Sequence, residues 1–161
     1  LGKATVMKRR IFLKGSLAAG TLAVAAGAGM LTPKSVLAAA WPKAAFDSKT
    51  EVEALQAFFG TSDVEQSDKI SIKAPLQAEN GAVVPVKVMT SLAGVEGIAI
   101  CAIKNPRPYT TSLRVTDGGG GLYSTRIKMG QTSPVNCYVK AGGKLYMASQ
   151  EIKVTVGGCG G

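Results

Sequence analysis

From Asp68 onward, apolar side chains recur at every second position. Ile70 and Ile72, then Val84, Val86 and Val88, then Ile127 and Met129, then Val135, Cys137 and Val139, and finally Ile152, Val154 and Val156 follow this period. Such spacing predicts strands with one buried face. The run Ile98-Ala99-Ile100-Cys101-Ala102-Ile103 is apolar on both faces, as in a central strand. Turn signals separate these stretches at Asn80-Gly81, Asn105-Pro106, Asp117 to Gly121 and Gly142-Gly143. About seven short strands at this spacing predict an all-β fold, an immunoglobulin-like antiparallel β-sandwich. Ahead of them Ser48-Lys49-Thr50-Glu51 has the form of a capping box, and Val52, Leu55, Phe58 and Phe59 fall at helical spacing until Gly60. One amphipathic helix over about 48–59 is therefore expected, packed at one end of the sandwich.

Charge divides the chain. It carries 19 Lys+Arg against 10 Asp+Glu, a net +9, and six of those surplus charges lie in residues 1–40, which hold no acidic residue. That segment reads Lys8-Arg9-Arg10-Ile11-Phe12-Leu13-Lys14, then an Ala- and Gly-rich run from Gly15 to Leu31, then Ala38-Ala39-Ala40. A basic region, a short apolar region and an A-x-A site are the parts of a secretory signal peptide, here 1–40. The paired arginines are similar to the twin-arginine export signal. The apolar run is 17 residues long and weakly hydrophobic, short of the roughly 20 strongly apolar residues of a membrane span. No stable membrane anchor is expected, and the mature chain would begin near Trp41 and work in the periplasm, where thiols can be oxidised. Twin-arginine export moves folded proteins. With no cofactor motif downstream, an escorted partner is the better reason for that route.

Absences exclude several chemistries. The sequence has no histidine, so Ser-His-Asp and Cys-His sites, a histidine proton shuttle and histidine-held zinc, copper or haem are ruled out. No Cys-x-x-Cys, no Asp-x-Asp cluster and no spaced carboxylate pair is present, so no metal site, catalytic pair or cofactor is expected. The glycine-rich stretch Asp117 to Gly121 leads into a strand pattern instead of a helix, so it reads as a hairpin tip and not a phosphate loop. Arg107, Arg114, Arg126, Lys128, Lys140 and Lys144 read as solvated strand faces. Aromatic residues are 6% of the chain and do not interleave with them, so nucleic acid is not an expected partner.

Three cysteines remain. Cys101 and Cys137 sit in apolar strand patterns, and two readings stay open for them, a disulfide or two small core residues. Cys159 differs, because it lies in Gly157-Gly158-Cys159-Gly160-Gly161, where no other side chain exists. Glycine forfeits conformational stability, so these residues serve no packing purpose. They make a slim arm, residues 157–161, that follows a sandwich domain of 41–156. Five extended residues at about 3.3–3.6 Å each reach roughly 17 Å. No cation in the tail lowers the Cys159 pKa. An unactivated thiol on such an arm suits a covalent carrier whose cargo is processed by partner enzymes. A structural module that dimerises through a Cys159 disulfide is the alternative. A stand-alone thiol oxidoreductase is disfavoured because no second cysteine adjoins Cys159.

This tail resembles the sulfur-carrying arm of the SoxY family of thiosulfate-oxidation proteins. Ala74-Pro75, the stretch Ala78-Glu79-Asn80-Gly81-Ala82-Val83-Val84-Pro85-Val86, Lys104-Asn105-Pro106-Arg107-Pro108, Arg126-Ile127-Lys128-Met129 and Val154-Thr155-Val156 are similar to the family pattern in the same order. The resemblance implies a non-catalytic carrier that forms a heterodimer with SoxZ, which lacks its own export signal. It also implies that the c-type cytochrome SoxAX couples thiosulfate to Cys159 as a cysteine S-thiosulfonate. The hydrolase SoxB would then release sulfate and leave a persulfide, which a sulfur dehydrogenase oxidises where one is present. Cys101 and Cys137 are not part of the family motif.

Overall fold

The alternating valines and isoleucines build two β-sheets that face one another. A computed structural model describes residues 41–116 and 119–155. Among the described residues two helices come first, α1 (Lys43–Asp47) and α2 (Glu51–Phe59). Nine strands follow among these residues: β1 (Val64–Gln66), β2 (Ile70–Lys73), β3 (Gln77–Ala78), β4 (Val84–Thr90), β5 (Val95–Ala102), β6 (Tyr109–Arg114), β7 (Leu122–Ile127), β8 (Ser133–Ala141) and β9 (Lys144–Val154). The larger sheet has the order β1-β9-β8-β5-β6, with β3 also on β9; the smaller is β2-β4-β7. Between them Val84, Val86, Val88, Ile98, Ile100, Val135, Cys137, Val139 and Ile152 form the interior. The fold is an all-β sandwich.

Two details of the strands differ from the sequence reading. The pairings are not all antiparallel, since β1 and β3 both run parallel to β9, along its first and last residues respectively. Those two strands are three and two residues long, too short to show a period. The stretch from Asp117 to Gly121 is not a hairpin tip, because β6 pairs with β5 in one sheet and β7 with β4 in the other, so the chain changes sheets between them. Gly142-Gly143 is the genuine hairpin. Ala141 faces Lys144 across it and both glycines have positive φ, 56° and 77°, as a two-residue primed turn requires.

The helical region also differs. Instead of one helix from Ser48, α1 ends at Asp47 and the Ser48 hydroxyl donates back to the Ala44 carbonyl at 2.7 Å. Thr50 is the N-cap of α2, its Oγ1 accepting the Glu53 amide at 3.3 Å, while Glu53 Oε2 accepts the Lys49 amide at 3.3 Å, so the cap lies two residues later than expected. The helix covers the outer face of the large sheet, not an end. Ala54, Leu55, Phe58 and Phe59 pack there on Ala99, Cys101, Tyr138 and Leu145, while Val52 is exposed. Each large apolar side chain buried this way contributes about 1.5–3 kcal/mol. Packing therefore outweighs a cap worth about 1 kcal/mol in holding a nine-residue helix that would be marginal alone. This second layer explains the doubly apolar β5, with Ile98 and Ile100 facing the interior and Ala99 and Cys101 facing the helix. Arg114 and Lys140 donate to the Phe58 and Phe59 carbonyls at 3.2 and 3.0 Å, complementing the helix C-terminus.

Candidate functional site

Cys159 and the glycines at 157, 158, 160 and 161 lie outside the described residues. The structure does describe the stem from which they continue. Ala102 faces Val135, Ser133 faces Ile152 and Val84 faces Ile127. The ends of β5, β7 and β9 and the starts of β4 and β8 thus share one pole of the sandwich, and β9 delivers the chain there.

Hydrogen bonds hold that stem on both sides. Toward β3, Lys153 donates its amide to Leu76 O at 2.9 Å, and Thr155 donates its amide and its hydroxyl to Ala78 O at 3.1 and 3.2 Å. On the other side Val154 donates its amide to Thr132 Oγ1 at 2.9 Å. The Asn80-Gly81 turn closes the arrangement. Asn80 Oδ1 accepts the Ala82 amide at 2.9 Å, and Met129 donates its amide to Gly81 O at 2.7 Å. A Cβ at position 81 would collide with Met129 O and come within 2.9 Å of Val154 Cγ1, so glycine permits the close approach. The chain is fixed through Thr155, four residues before Cys159. The sequence flagged Asn80-Gly81 as a turn, but it gave no signal for Thr132, whose role depends on a neighbour 22 residues away.

The other two cysteines are free thiols, fully buried. Of the two readings left open by the sequence, the disulfide is corrected. Ile100 is the residue opposite Cys137 in the β5–β8 register, and successive residues of a strand point to opposite faces. Cys137 therefore faces the sandwich interior while Cys101 lies under α2, and the sheet separates the two sulfurs. Burial pushes the Cys137 thiol up to about 12. Burial, followed by the negative charge of Glu51 and the neighbouring Cys137, raises Cys101 as well. Only the thiolate is nucleophilic, so neither is a reactive sulfur near neutral pH.

Above Cys101, Glu51 Oε1 accepts the Tyr138 hydroxyl and, at 2.8 Å, the Asn136 side-chain amide. Burial first, then the Glu51 carboxylate, raises the Tyr138 phenol. The arrangement ties the start of α2 to β8 and offers no activated group. The six basic residues named from the sequence do not make one patch. Arg107 pairs with Asp47 at 3.3 Å, Lys144 with Glu65 at 3.1 Å and Lys140 with Glu96 at 3.9 Å, while Arg114 lies 4.6 Å over the Phe58 ring.

The family model described as "Sulfur oxidation protein SoxY" matches residues 55–159, from the second turn of α2 to the arm cysteine. Among solved structures, the sulfur carrier protein SoxY from Chlorobium limicola f thiosulfatophilum is 42% identical. It covers 65% of this chain and 94% of its own, with a TM-score of 0.58. A superoxide reductase (neelaredoxin) from Ignicoccus hospitalis is 14% identical, covering 57% of this chain and 94% of its own at a TM-score of 0.50, a likeness of fold alone. No curated protein matches.

Proposed function

The chain belongs to the SoxY family, and on that premise we propose that it carries sulfur intermediates covalently on Cys159, as a carrier and not a catalyst. The observation that carries the reading is that the family match extends to Cys159 while the other two thiols are buried and held protonated. A cargo thiol has to reach other active sites, and those two sulfurs have no route out of the fold.

In this reading a partner oxidant couples thiosulfate to Cys159. The thiol loses its proton, the outer sulfur of thiosulfate joins Cys159 Sγ, and two electrons leave to the oxidant, a c-type cytochrome such as SoxAX. Water then cleaves the bond between the outer sulfur and the sulfonate in a hydrolase of the SoxB kind. Sulfate departs and a persulfide remains on Cys159 for a sulfur dehydrogenase where one is present. The fixed stem through Thr155 supports this role, because it gives the arm a defined origin. The proposal includes export of residues 41–161 to the periplasm by the twin-arginine signal at 1–40, in a heterodimer with SoxZ.

Reconstitution with the partner cytochrome and hydrolase tests the assignment. Thiosulfate-dependent electron transfer should require Cys159 and disappear in Cys159→Ser, whereas Cys101→Ala with Cys137→Ala should retain it. Turnover surviving Cys159→Ser would overturn the reading.

A further inference from the structure

Three cations share the outer face of the small sheet. Val84, Val86 and Val88 of β4 are buried in the interior, so Pro85 and Lys87 point outward, and Ser71 and Lys73 of β2 and Ser124 and Arg126 of β7 are exposed on the same side. The register places Lys73 directly opposite Lys87, Lys87 opposite Ser124 and Pro85 opposite Arg126. Arg126 is therefore the diagonal neighbour of Lys87, within reach of its long side chain.

No carboxylate neutralises these charges at contact distance. β2, β4 and β7 contain no Asp or Glu, and Lys73, Lys87 and Arg126 enter no ion pair among the described residues. Like charges directly opposite on neighbouring strands repel and weaken the pairing, and an anion lying between the two ammonium groups relieves that repulsion. A groove of about 520 Å³ opens at this point, lined by both lysines, Ser124, Ala74, Pro75 and Pro85. The prolines have no backbone N–H and a fixed φ, so the surface between the charged groups is stiff and apolar.

Shape and charge together select the occupant. A free oxyanion needs donors that converge on it, whereas these cations are spread over three strands with apolar surface between them. A bilayer takes up protruding apolar groups, whereas this apolar surface is recessed. A second copy of the face would meet it with like charge. An extended acidic segment fits on both counts, because its carboxylates can reach the cations while its backbone and methylenes cover the prolines. We propose that this face is a docking surface for an acidic segment of another protein, with Lys73, Lys87 and Arg126 pairing with its carboxylates and the Ser124 hydroxyl donating to one of them. Complementary charge of this kind also speeds the encounter at low salt. The docking surface goes beyond the carrier reading and does not depend on Cys159.

The experiment titrates the full chain with hexaglutamate in low-salt nitrogen-edited NMR spectra, with hexaserine as the uncharged control. Hexaglutamate should shift the backbone amides of Lys73, Lys87 and Ser124, hexaserine should leave them in place, and added salt should reverse the shift. Lys73→Gln combined with Lys87→Gln should weaken the titration by about fivefold. Unmoved Lys73, Lys87 and Ser124 amides, or shifts confined to another surface, overturn the proposal. The same shifts produced by sodium sulfate at equal ionic strength would mean a small-anion site only and overturn it too, as would binding to phosphatidylglycerol vesicles with no response to hexaglutamate. The comparison of the two peptides on the unsubstituted chain decides the matter even if the double variant folds poorly. Cys159 takes no part in these titrations, so a negative result leaves the carrier reading standing, and failure of Cys159 to take up sulfur leaves the docking surface standing.

Discussion

Thr155 is bonded twice to one oxygen of Ala78, through its amide at 3.1 Å and its hydroxyl at 3.2 Å. These are the last described contacts before the arm. Together with the Thr132 bond to Val154 they hold the last residues of β9 in place. A carrier benefits from a held stem, because slack there would widen the volume the thiol searches.

Thr132→Val keeps the side-chain shape and removes the acceptor for the Val154 amide. The expected cost is about 1 kcal/mol, concentrated at the stem. Amide exchange at Val154 should accelerate several-fold while β5 and β8 are unaffected. Unchanged exchange at Val154 would show that the β7–β8 loop does not hold the strand.

Gly81→Ala should be costly because its Cβ would collide with the Met129 carbonyl and crowd Val154. Overpacking of this kind costs about 1–3 kcal/mol, and thermal or urea melts would measure it. Gly120→Ala, with nothing within 4 Å of the added carbon, is the matched control and should change stability little.

Thiol counting tests the separation of Cys101 from Cys137. Native protein treated with iodoacetamide should take one label, on Cys159, and two more should add after unfolding in the absence of reductant. Two thiols that remain unlabelled in the unfolded, unreduced chain would mean a disulfide the structure does not contain.

Alkaline stability follows from the same burial. Cys137 titrates from 9.0 in an exposed state to about 12 when folded. Between those values the unfolded chain has released the proton and the folded chain retains it. Stability therefore falls as pH rises above about 9, by on the order of 1 kcal/mol per pH unit. The buried Cys101, Tyr109 and Tyr138 are raised too and act in the same direction. Urea midpoints from pH 8 to 11 should decline, and Cys137→Ala should make the decline shallower even if it lowers stability at pH 8. An equal slope in the two proteins would contradict the burial argument.

The sequence carried the interior of the sandwich well, because Val84, Val86 and Val88 or Val135, Cys137 and Val139 have one buried face and a clear period. It did not reveal β6, whose Tyr109-Thr110-Thr111-Ser112-Leu113-Arg114 has a single buried residue at its start. Nor did it reveal the parallel additions β1 and β3, which exist only because β9 offers edges to pair with. The apolar outer face of β5 was legible, but the agent covering it was misplaced until α2 was seen on that face. Likewise, the expectation for Cys159 came from its glycine neighbours in the sequence, whereas the stem that precedes the arm could not be read there. Thr132, Ala78 and Gly81 meet Val154 and Thr155 through folding, not sequence proximity.

The central claim is that Cys159 bears the cargo, and the mass of its peptide tests this most directly. The protein should be isolated without reductant from cells oxidising thiosulfate, then digested and measured. The account predicts the Cys159 peptide in forms heavier by a sulfonate-terminated sulfur adduct or by one additional sulfur, reverting to the free thiol on reduction, with Cys101 and Cys137 unmodified. A Cys159 peptide found only as the free thiol or as a disulfide with a second copy of itself, under conditions of active thiosulfate oxidation, would contradict it.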